Sequence, residues 1–596
     1  MTESQPFYRA SLVAASTWQG LERLAQRLLT LKGFTHVWHV GQSGDGGADV
    51  VALRPNASGG EDIRWLVQVK KFRRPVGEGV ISETVKARHR YGARIAVILS
   101  SGGFTASAHL AQERLRNQEI YVELWDSSLV EALGQELDRT PPVFASESGL
   151  ELREYQRVAI ERVVDRYLNH ASGSALVVLA TGLGKTVAAG EAVRRIRAQS
   201  SRHLRVLVLA HTIDLVRQLE RAFWPFMTPD EATCIIGGGE KPESFEDLRK
   251  HSYVFAVKDA VHEYQSRELF PNEIFDLVVV DECHHLGAIE YESVLNGLRV
   301  GSPGGPFLIG LTATPFRPDG EDLSHRFGEP VVSIDLARGL REGFLAEVDY
   351  RMFTDNIDWE NLRRDQGDRY TPDKINRTLF ITEWDDGVIE RLAEAWSELE
   401  LPRRGIVFCG TVAYAETMAR KINQLGFARA QAISSKGNDG KKLSPVERSQ
   451  KLWDFAAGKT EILCACDLLN EGIDVPDVNL VVFQRVTHSR RIFVQQLGRG
   501  LRLSKTKKKV LVLDFVNDIR RFAEGLSLGR ALDSDGPRPG DSRTISIRSK
   551  VSFRRAREED IDARDFLTLW LGDLDAVAEA NGDVSILSFP PVEIPT

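Results

Sequence analysis

The chain has 596 residues, 42% of them hydrophobic and 27% charged, with a formal net charge of −7. That length exceeds what one hydrophobic core fills, so roughly three to five domains are expected, with the composition of a globular protein. The acidic balance excludes a chain that is basic throughout, so any grip on DNA or RNA must come from local patches.

The opening MTESQPFYRASLVAAS has no basic stretch followed by an apolar core, which argues against a signal peptide. No apolar run is long enough to span a bilayer, so no membrane partner is expected. The five cysteines, Cys234, Cys283, Cys409, Cys464 and Cys466, form no C-x-x-C pair. A zinc site or disulfide framework is therefore not expected, and their scatter suits a reducing cytoplasm.

Residues 12–31 have helical spacing, with Trp18, Leu21, Ala25 and Leu28 as the apolar stripe and Glu22 on its flank. GQSGDGGADVVAL then reads as a Gly-rich turn entering a strand. In the next strand, WLVQVKKF (65–72), alternation puts Gln68 and Lys70 on one face with Leu66 beside them. Taken alone, its lysines also suit an edge strand guarded against aggregation. RIAVILSS, a helix near 104–117, the strand EIYVELWD and the helical SSLVEAL complete a small α/β domain. ELDRTPPVFASESG has linker composition.

From Leu152 onward, apolar runs alternate with helical patterns: SALVVLA, RVLVLA, DLVVVD, PFLIGLTA, then RGIVFCG, EILCA and NLVVFQ. Such alternation predicts two parallel sheets wrapped by helices. WENLRRDQGDRYTPDK separates the two groups, and DSDGPRPGDSR precedes a C-terminal piece in which RTISIRSKVSF alternates like a strand.

ATGLGKT (180–186) lies between a strand and a helix, the context a phosphate loop needs. Thr181 lies inside it. Gly182 and Gly184 let the backbone approach phosphates, Lys185 reaches the β/γ-phosphates of ATP, and Thr186 holds Mg²⁺. The loop departs from G-x-x-x-x-G-K-T at Leu179. DLVVVDECHH supplies the acids: Asp281, ending a buried strand, positions Mg²⁺, and Glu282 polarises the attacking water.

These motifs resemble superfamily 2 DExH helicases and translocases, and most the motor subunits of type I and type III restriction enzymes. The resemblance runs over roughly 150–525. LREYQ (152–156) resembles the adenine-side motif, making Gln156 the base reader. VLAHTIDLVRQ (208–218) resembles the strand-contacting motif Ia, LTATPFR (311–317) motif III, LLNEGIDVPDV (468–478) motif V and FVQQLGRGLR (493–502) motif VI. The resemblance places Gly472, Asp474 and Gln495 at the nucleotide and makes Arg499 and Arg502 the arginine-finger candidates, which neutralise charge on the γ-phosphate. His211, Thr212 and Thr411 become candidate strand contacts.

Motors of this branch often carry a nuclease, and GDGGAD followed by Gln68-x-Lys70 resembles the PD-(D/E)xK fold in its Mrr-like restriction endonuclease form, over about 16–135. That resemblance implies Asp49 as metal ligand, Gln68 as a metal-site or water-positioning neighbour, and Lys70 as the cation that stabilises the phosphorane and helps deprotonate water. Glu22 matches a second, helical carboxylate. Gln68 stands where an acid is common.

The expected architecture is therefore α/β: a PD-(D/E)xK nuclease-like domain (1–137), a linker (138–150), a first RecA-like lobe (151–345), a connector or insert (346–385), a second lobe (386–530) and a small C-terminal extension (531–596). The function implied is an ATP-dependent DNA helicase or translocase with a Mg²⁺-dependent DNA endonuclease, in bacterial restriction or phage defence. Its expected partners are single- or double-stranded DNA and other proteins of a defence system; oligomeric state is not legible. A DNA-repair helicase whose nuclease fold only binds DNA, an RNA helicase, and a nucleotide-gated assembly protein are the alternatives.

Overall fold

The computed structural model describes residues 6–40, 47–56, 62–139, 152–242, 244–287, 289–313, 323–334, 338–339, 342–352, 382–434, 445–456, 458–466, 478–484, 509–515, 544–547 and 551–555. These form two compact units: Met1–Leu179 with Gly184–Ser333, and Ala180–Leu183 with Ile334–Thr596.

The first unit opens with two helices, α1 (Ala10–Ala15) and α2 (Trp18–Leu31). The single helix expected over 12–31 breaks because the Thr17 side chain accepts from Gly20 N at 3.0 Å and caps α2. Leu21, Ala25 and Leu28 are buried as expected, while Trp18 is 40% exposed. Strands β1 (Thr35–His39), β2 (Val50–Arg54), β3 (Ile63–Lys70), β4 (Ile95–Ser100) and β5 (Tyr121–Trp125) form one sheet in that order. WLVQVKKF thus belongs to the central strand, which excludes the edge-strand reading. Helices α3 (Glu78–Arg90), α4 (Ala106–Asn117) and α5 (Ser127–Arg139) complete this module, α5 running past residue 137. Trp65, Val67 and Val69 of β3 join Leu21, Leu24 and Leu28 of α2 in one core. Alternation sends Gln68 and Lys70 to the opposite face, against α3.

The same unit continues with α6 (Glu154–Asn169), β6 (Ser174–Leu179), α7 (Lys185–Gln199), β7 (Val206–Ala210), α8 (Ile213–Phe223), β8 (Thr233–Ile236), β9 (Tyr253–Val257), β10 (Leu277–Val280), β11 (Phe307–Thr312) and β12 (Val332–Ile334). The sheet order is β12-β6-β11-β10-β7-β9-β8, and the pairings from β6 through β8 are parallel. The N-terminal module docks on this lobe through α2. Phe7 N donates to Asp230 O at 3.0 Å, Arg27 Nη2 to Thr228 O at 2.9 Å, and Arg23 Nε to Glu220 Oε1 at 3.2 Å, while Arg23 also pairs with Glu240. Ala232 of the lobe enters the module's core.

The second unit holds an eight-stranded sheet of β13 (Glu347–Met352), β14 (Gly405–Cys409), β15 (Ala430–Ser434), β16 (Ile462–Cys466), β17 (Leu480–Gln484), β18 (Lys509–Asp514), β19 (Thr544–Ile547) and β20 (Val551–Arg555), in the order β15-β16-β14-β17-β18-β13-β20-β19. All its pairings are parallel except the β19–β20 hairpin. The region read as a connector therefore begins with a strand of this sheet, and the C-terminal extension adds two more. Buried Asp349 anchors β13, accepting from Lys509 Nζ of β18 at 3.0 Å. No helix among the described residues is long and apolar enough to cross a membrane. All five cysteines are buried, and none forms a disulfide.

Candidate ATPase and nuclease sites

Parallel sheets bind ligands at the carboxyl ends of their strands, and β6 and β10 end on the two ATP motifs. The loop after β6 turns through left-handed Gly182 (φ 93°) and Gly184 (φ 80°). Gly184 is the N-cap of α7, so Lys185 and Thr186 open a helix whose first N–H groups are unspent. A Cβ on Gly184 would stand 2.4 Å from Gln156 Nε2. Gln156 in turn accepts from Arg153 N at 3.0 Å in the capping box of α6. The residue read as the adenine reader is thus packed against the phosphate loop.

Across from the loop, Lys185 Nζ lies 3.6 Å from Glu282 Oε1. Asp281 is buried, and its Oδ1 has no hydrogen-bond partner among the described residues. Burial, then the neighbouring Glu282 charge, pushes its carboxyl up to about 6, against the pull of Lys185. Glu282 is left-handed (φ 50°), a strained conformation for a residue with a side chain. His284 Nδ1 lies 3.1 Å from Thr312 Oγ1 and 3.3 Å from Glu282 Oε2, joining the acid pair to the end of β11. That link went unread in the sequence, although DECH and LTAT carry both partners. Thr212 and Thr411 are helix caps, accepting from Leu215 N at 3.4 Å and Tyr414 N at 3.2 Å. Gly472, Asp474, Gln495, Arg499 and Arg502 lie outside the described residues.

In the N-terminal module the β2–β3 register, Val50 opposite Val67, continues with Asp49 N donating to Val67 O at 2.9 Å. Asp49 thus lies across from Val67, the residue before Gln68. It is buried, and its Oδ2 accepts from Val69 N at 2.6 Å. Gln68 is 1% exposed; its Oε1 takes a hydrogen bond from Thr84 Oγ1 of α3, and its Nε2 has no partner among the described residues. The Thr84 hydroxyl also reaches Val80 O at 2.8 Å, yet it has one proton to give. Exchanging oxygen and nitrogen in the Gln68 amide satisfies both, because the amide NH₂ then donates to Thr84 and Oε1 turns to the open side. Lys70 Nζ meets Glu83 Oε2 at 3.3 Å. Glu22 is buried, not on a helix flank, and its Oε2 lies 2.6 Å from His39 Nε2 at the end of β1. The structure thus brings Gln68 and Lys70 to the α3 side, holds the Asp49 carboxylate on the backbone of β3, and sets Glu22 with His39 against α2. Glu83, Thr84 and His39 were missed because a helix facing a strand leaves no fixed spacing in sequence.

Asp281, with a buried oxygen lacking a partner among the described residues, fits a hard cation beside the phosphate loop. The nuclease-type face offers the Asp49 carboxylate and the Gln68 amide, also oxygen donors. Among the described residues, no group of three His, Cys, Asp or Glu side chains is placed to hold a metal ion.

Three family profiles match consecutive stretches: a restriction endonuclease over 13–133, the res subunit of type III restriction enzymes over 149–317, and the helicase conserved C-terminal domain over 387–504. The chain joins a restriction-endonuclease domain to the two domains of a helicase motor. The type I restriction enzyme EcoAI endonuclease subunit of Escherichia coli is 28% identical over 404 residues, covering 63% of this chain and 47% of that protein. The DNA 3'-5' translocase XPB2 of Sulfurisphaera tokodaii is 26% identical over 396 residues, covering 62% and 82%. The chain spans 59% and 47% of the first two curated relatives it matches. Among solved structures, the DNA-bound ATP-dependent Type ISP restriction-modification enzyme LlaBIII shares the fold, with a TM-score of 0.51 at 16% identity over 97% of this chain and 43% of that one. The nuclease domain and the first motor domain lie in one compact unit, and the second motor domain in the other.

Proposed function

We propose that the chain is an ATP-dependent DNA translocase or helicase with a metal-dependent DNA endonuclease, acting in restriction or phage defence in the cytoplasm. The observation that carries this reading is the presence, in one compact unit, of two sites built for phosphate chemistry: Lys185, Asp281 and Glu282 at the strand ends of the motor, and Asp49, Gln68 and Lys70 on the nuclease sheet. The matches to restriction subunits support the pairing, and the five reduced, buried cysteines suit a cytoplasmic setting.

In the motor, Lys185 and the N-terminal amides of α7 receive the γ-phosphate of ATP, and Glu282 takes a proton from the attacking water. Thr186 and Asp281 would hold Mg²⁺, which supplies charge neutralisation between the phosphates. Gln156 would hold the base, and Thr181, Gly182 and Gly184 shape the loop. The helicase resemblance adds Gly472, Asp474 and Gln495 as nucleotide-site residues and Arg499 and Arg502 as arginine-finger candidates. ATP-driven changes in grip then move the chain along DNA through backbone contacts, which tolerate any sequence. In the nuclease, Asp49 would hold a divalent cation that activates water; Glu22, paired with His39, is not among the groups set beside Gln68 and Lys70. Lys70 faces the scissile phosphate and neutralises the charge of the phosphorane.

Plasmid and linear DNA incubated with Mg²⁺, with and without ATP, test this reading alongside Lys70→Ala and Lys185→Ala. Cleavage lost in Lys70→Ala with ATPase retained, and cleavage altered by ATP or by Lys185→Ala, is the expected result. DNA-stimulated ATPase with no cleavage under any divalent metal would leave the nuclease fold as a DNA grip and favour the repair reading. ATPase stimulated by RNA alone would overturn the DNA assignment.

A further inference from the structure

Gln68 stands where an acid is common, and the helix it faces carries one, Glu83. Alternate residues of β3 divide between two faces: Trp65, Val67 and Val69 pack on α2, and Gln68 and Lys70 meet α3. Two consecutive residues of α3 receive them, Thr84 touching Gln68 and Glu83 pairing with Lys70 at 3.3 Å. The Glu83 side chain is 46% exposed, so an ordinary surface ion pair is the competing account. Two observations go beyond it. Gly47 is left-handed (φ 94°), and the position a Cβ would take there lies 2.8 Å from Gln68 Nε2 and 3.1 Å from Glu83 Oε1. The amide and the carboxylate therefore converge on one point at Gly47, two residues before Asp49. Second, the amide end that faces this point belongs to a residue 1% exposed and has no hydrogen-bond partner among the described residues. Turned to satisfy Thr84, it presents an oxygen there. A surface ion pair needs neither the bare glycine nor the buried, unsatisfied amide.

We propose that Glu83 is the second acidic ligand of the nuclease site: it holds Lys70 while the site is metal-free and turns to a divalent cation bound by Asp49 and Gln68, releasing Lys70 to the phosphate. This rests on the nuclease reading above. Two carboxylates and an amide oxygen on one side of a hard cation leave the remaining positions to water and the substrate phosphate, as Mg²⁺ and Mn²⁺ sites require.

The test uses the full chain without nucleotide, carrying Asp281→Asn so that the motor's carboxylate adds no binding. Mn²⁺ affinity is measured by calorimetry. Asp49→Ala is expected to abolish binding, Glu83→Gln to weaken it about 10- to 100-fold, and Glu83→Asp to fall between. In the same protein, acylation of Lys70 read by mass spectrometry should rise when Mn²⁺ is added; in Glu83→Gln it should be high with and without metal. Unchanged Mn²⁺ affinity in Glu83→Gln, with binding lost in Asp49→Ala, would overturn the role of Glu83 and leave the nuclease reading standing. No Mn²⁺ binding in the parent, or binding indifferent to Asp49→Ala, would remove the nuclease reading and this inference together. Lys70 acylation indifferent to metal in the parent would overturn the exchange of partners.

Discussion

Gly47 and Gly184 do one job in two chemistries. Each is left-handed, and each lets a glutamine amide close against the backbone, Gln68 at 2.8 Å and Gln156 at 2.4 Å from where a Cβ would stand. Alanine at either position meets both the strain of φ > 0 and a collision. Gly47→Ala should therefore cut DNA cleavage at least tenfold while DNA-stimulated ATP turnover stays within about twofold, because the collision is confined to the nuclease face. Equal loss of both activities would mean the substitution disturbs the whole unit. Glu282→Gln keeps the size and the left-handed backbone but removes the base. ATP turnover should fall by about 10²- to 10⁴-fold with nucleotide binding retained. Turnover within tenfold of the parent, with binding intact, would take Glu282 out of that role.

At the scale of elements, the two motor domains repeat a strand followed by a threonine-capped helix: β7, Thr212 and α8 in one, and β14, Thr411 and the helix Val412–Leu425 in the other. The capping hydroxyl satisfies a backbone N–H and keeps its own proton to donate, which suits a phosphate contact. Thr212→Ala should destabilise its domain by about 1 kcal/mol, and Thr212→Ser should restore the cap. If the same hydroxyl also grips DNA, Thr212→Ala will raise the DNA concentration for half-maximal ATPase and Thr212→Ser will reverse that too. A stability change without a shift in DNA dependence would leave it a cap alone. Much at this scale was legible in sequence, because buried parallel strands read as short apolar runs: SALVVL, VLVLA, LVVV and FLIGLT are β6, β7, β10 and β11. What escaped were elements whose burial depends on partners distant in the chain. THVWH pairs with β2 yet reads as mixed polar sequence, and TCII and YVFAV close the far side of the first motor sheet. EVDYRM carries a buried Asp349 whose partner, Lys509, is far along the chain. The phosphate loop and its acids are local motifs and were legible residue by residue; the Glu83–Lys70 and His284–Thr312 contacts are tertiary and were not.

At the scale of the molecule, the nuclease domain is held to the first motor domain by buried charge as well as by apolar contact. Arg27 is buried, donates to backbone oxygens of the lobe and lies 4.4 Å over the Phe7 ring; Arg23 is shared by Glu220 and Glu240. Breaking one partner of such a cluster strands the others without water, so this dock should open as a unit. His251 lies at its edge, in a cleft shared with Ser16, Gly20 and Arg23, with Nδ1 on Asp247 O at 3.0 Å. Burial first, then the Arg23 and Lys250 charges, push its imidazole down to about 4, against the Asp247 carbonyl and carboxylate. Above the unfolded value of about 6.5 the ring is neutral in both states and pH has no leverage through it. As pH falls from about 6.5 toward 4, the unfolded chain takes a proton that the fold refuses, and stability is lost progressively, to a limit of about 3 kcal/mol. His251→Gln removes the titration and keeps a donor for Asp247 O. Melting temperature should fall by several degrees less in the variant than in the parent between pH 7 and pH 4.5, since the carboxylates that protonate over the same range are common to both and cancel in the comparison. Parallel pH profiles would mean that the ring is hydrated in solution. Convergent profiles at pH 7 that separate below pH 6, with the first melting transition moving most, would mark the dock as the part of the molecule that acid opens first.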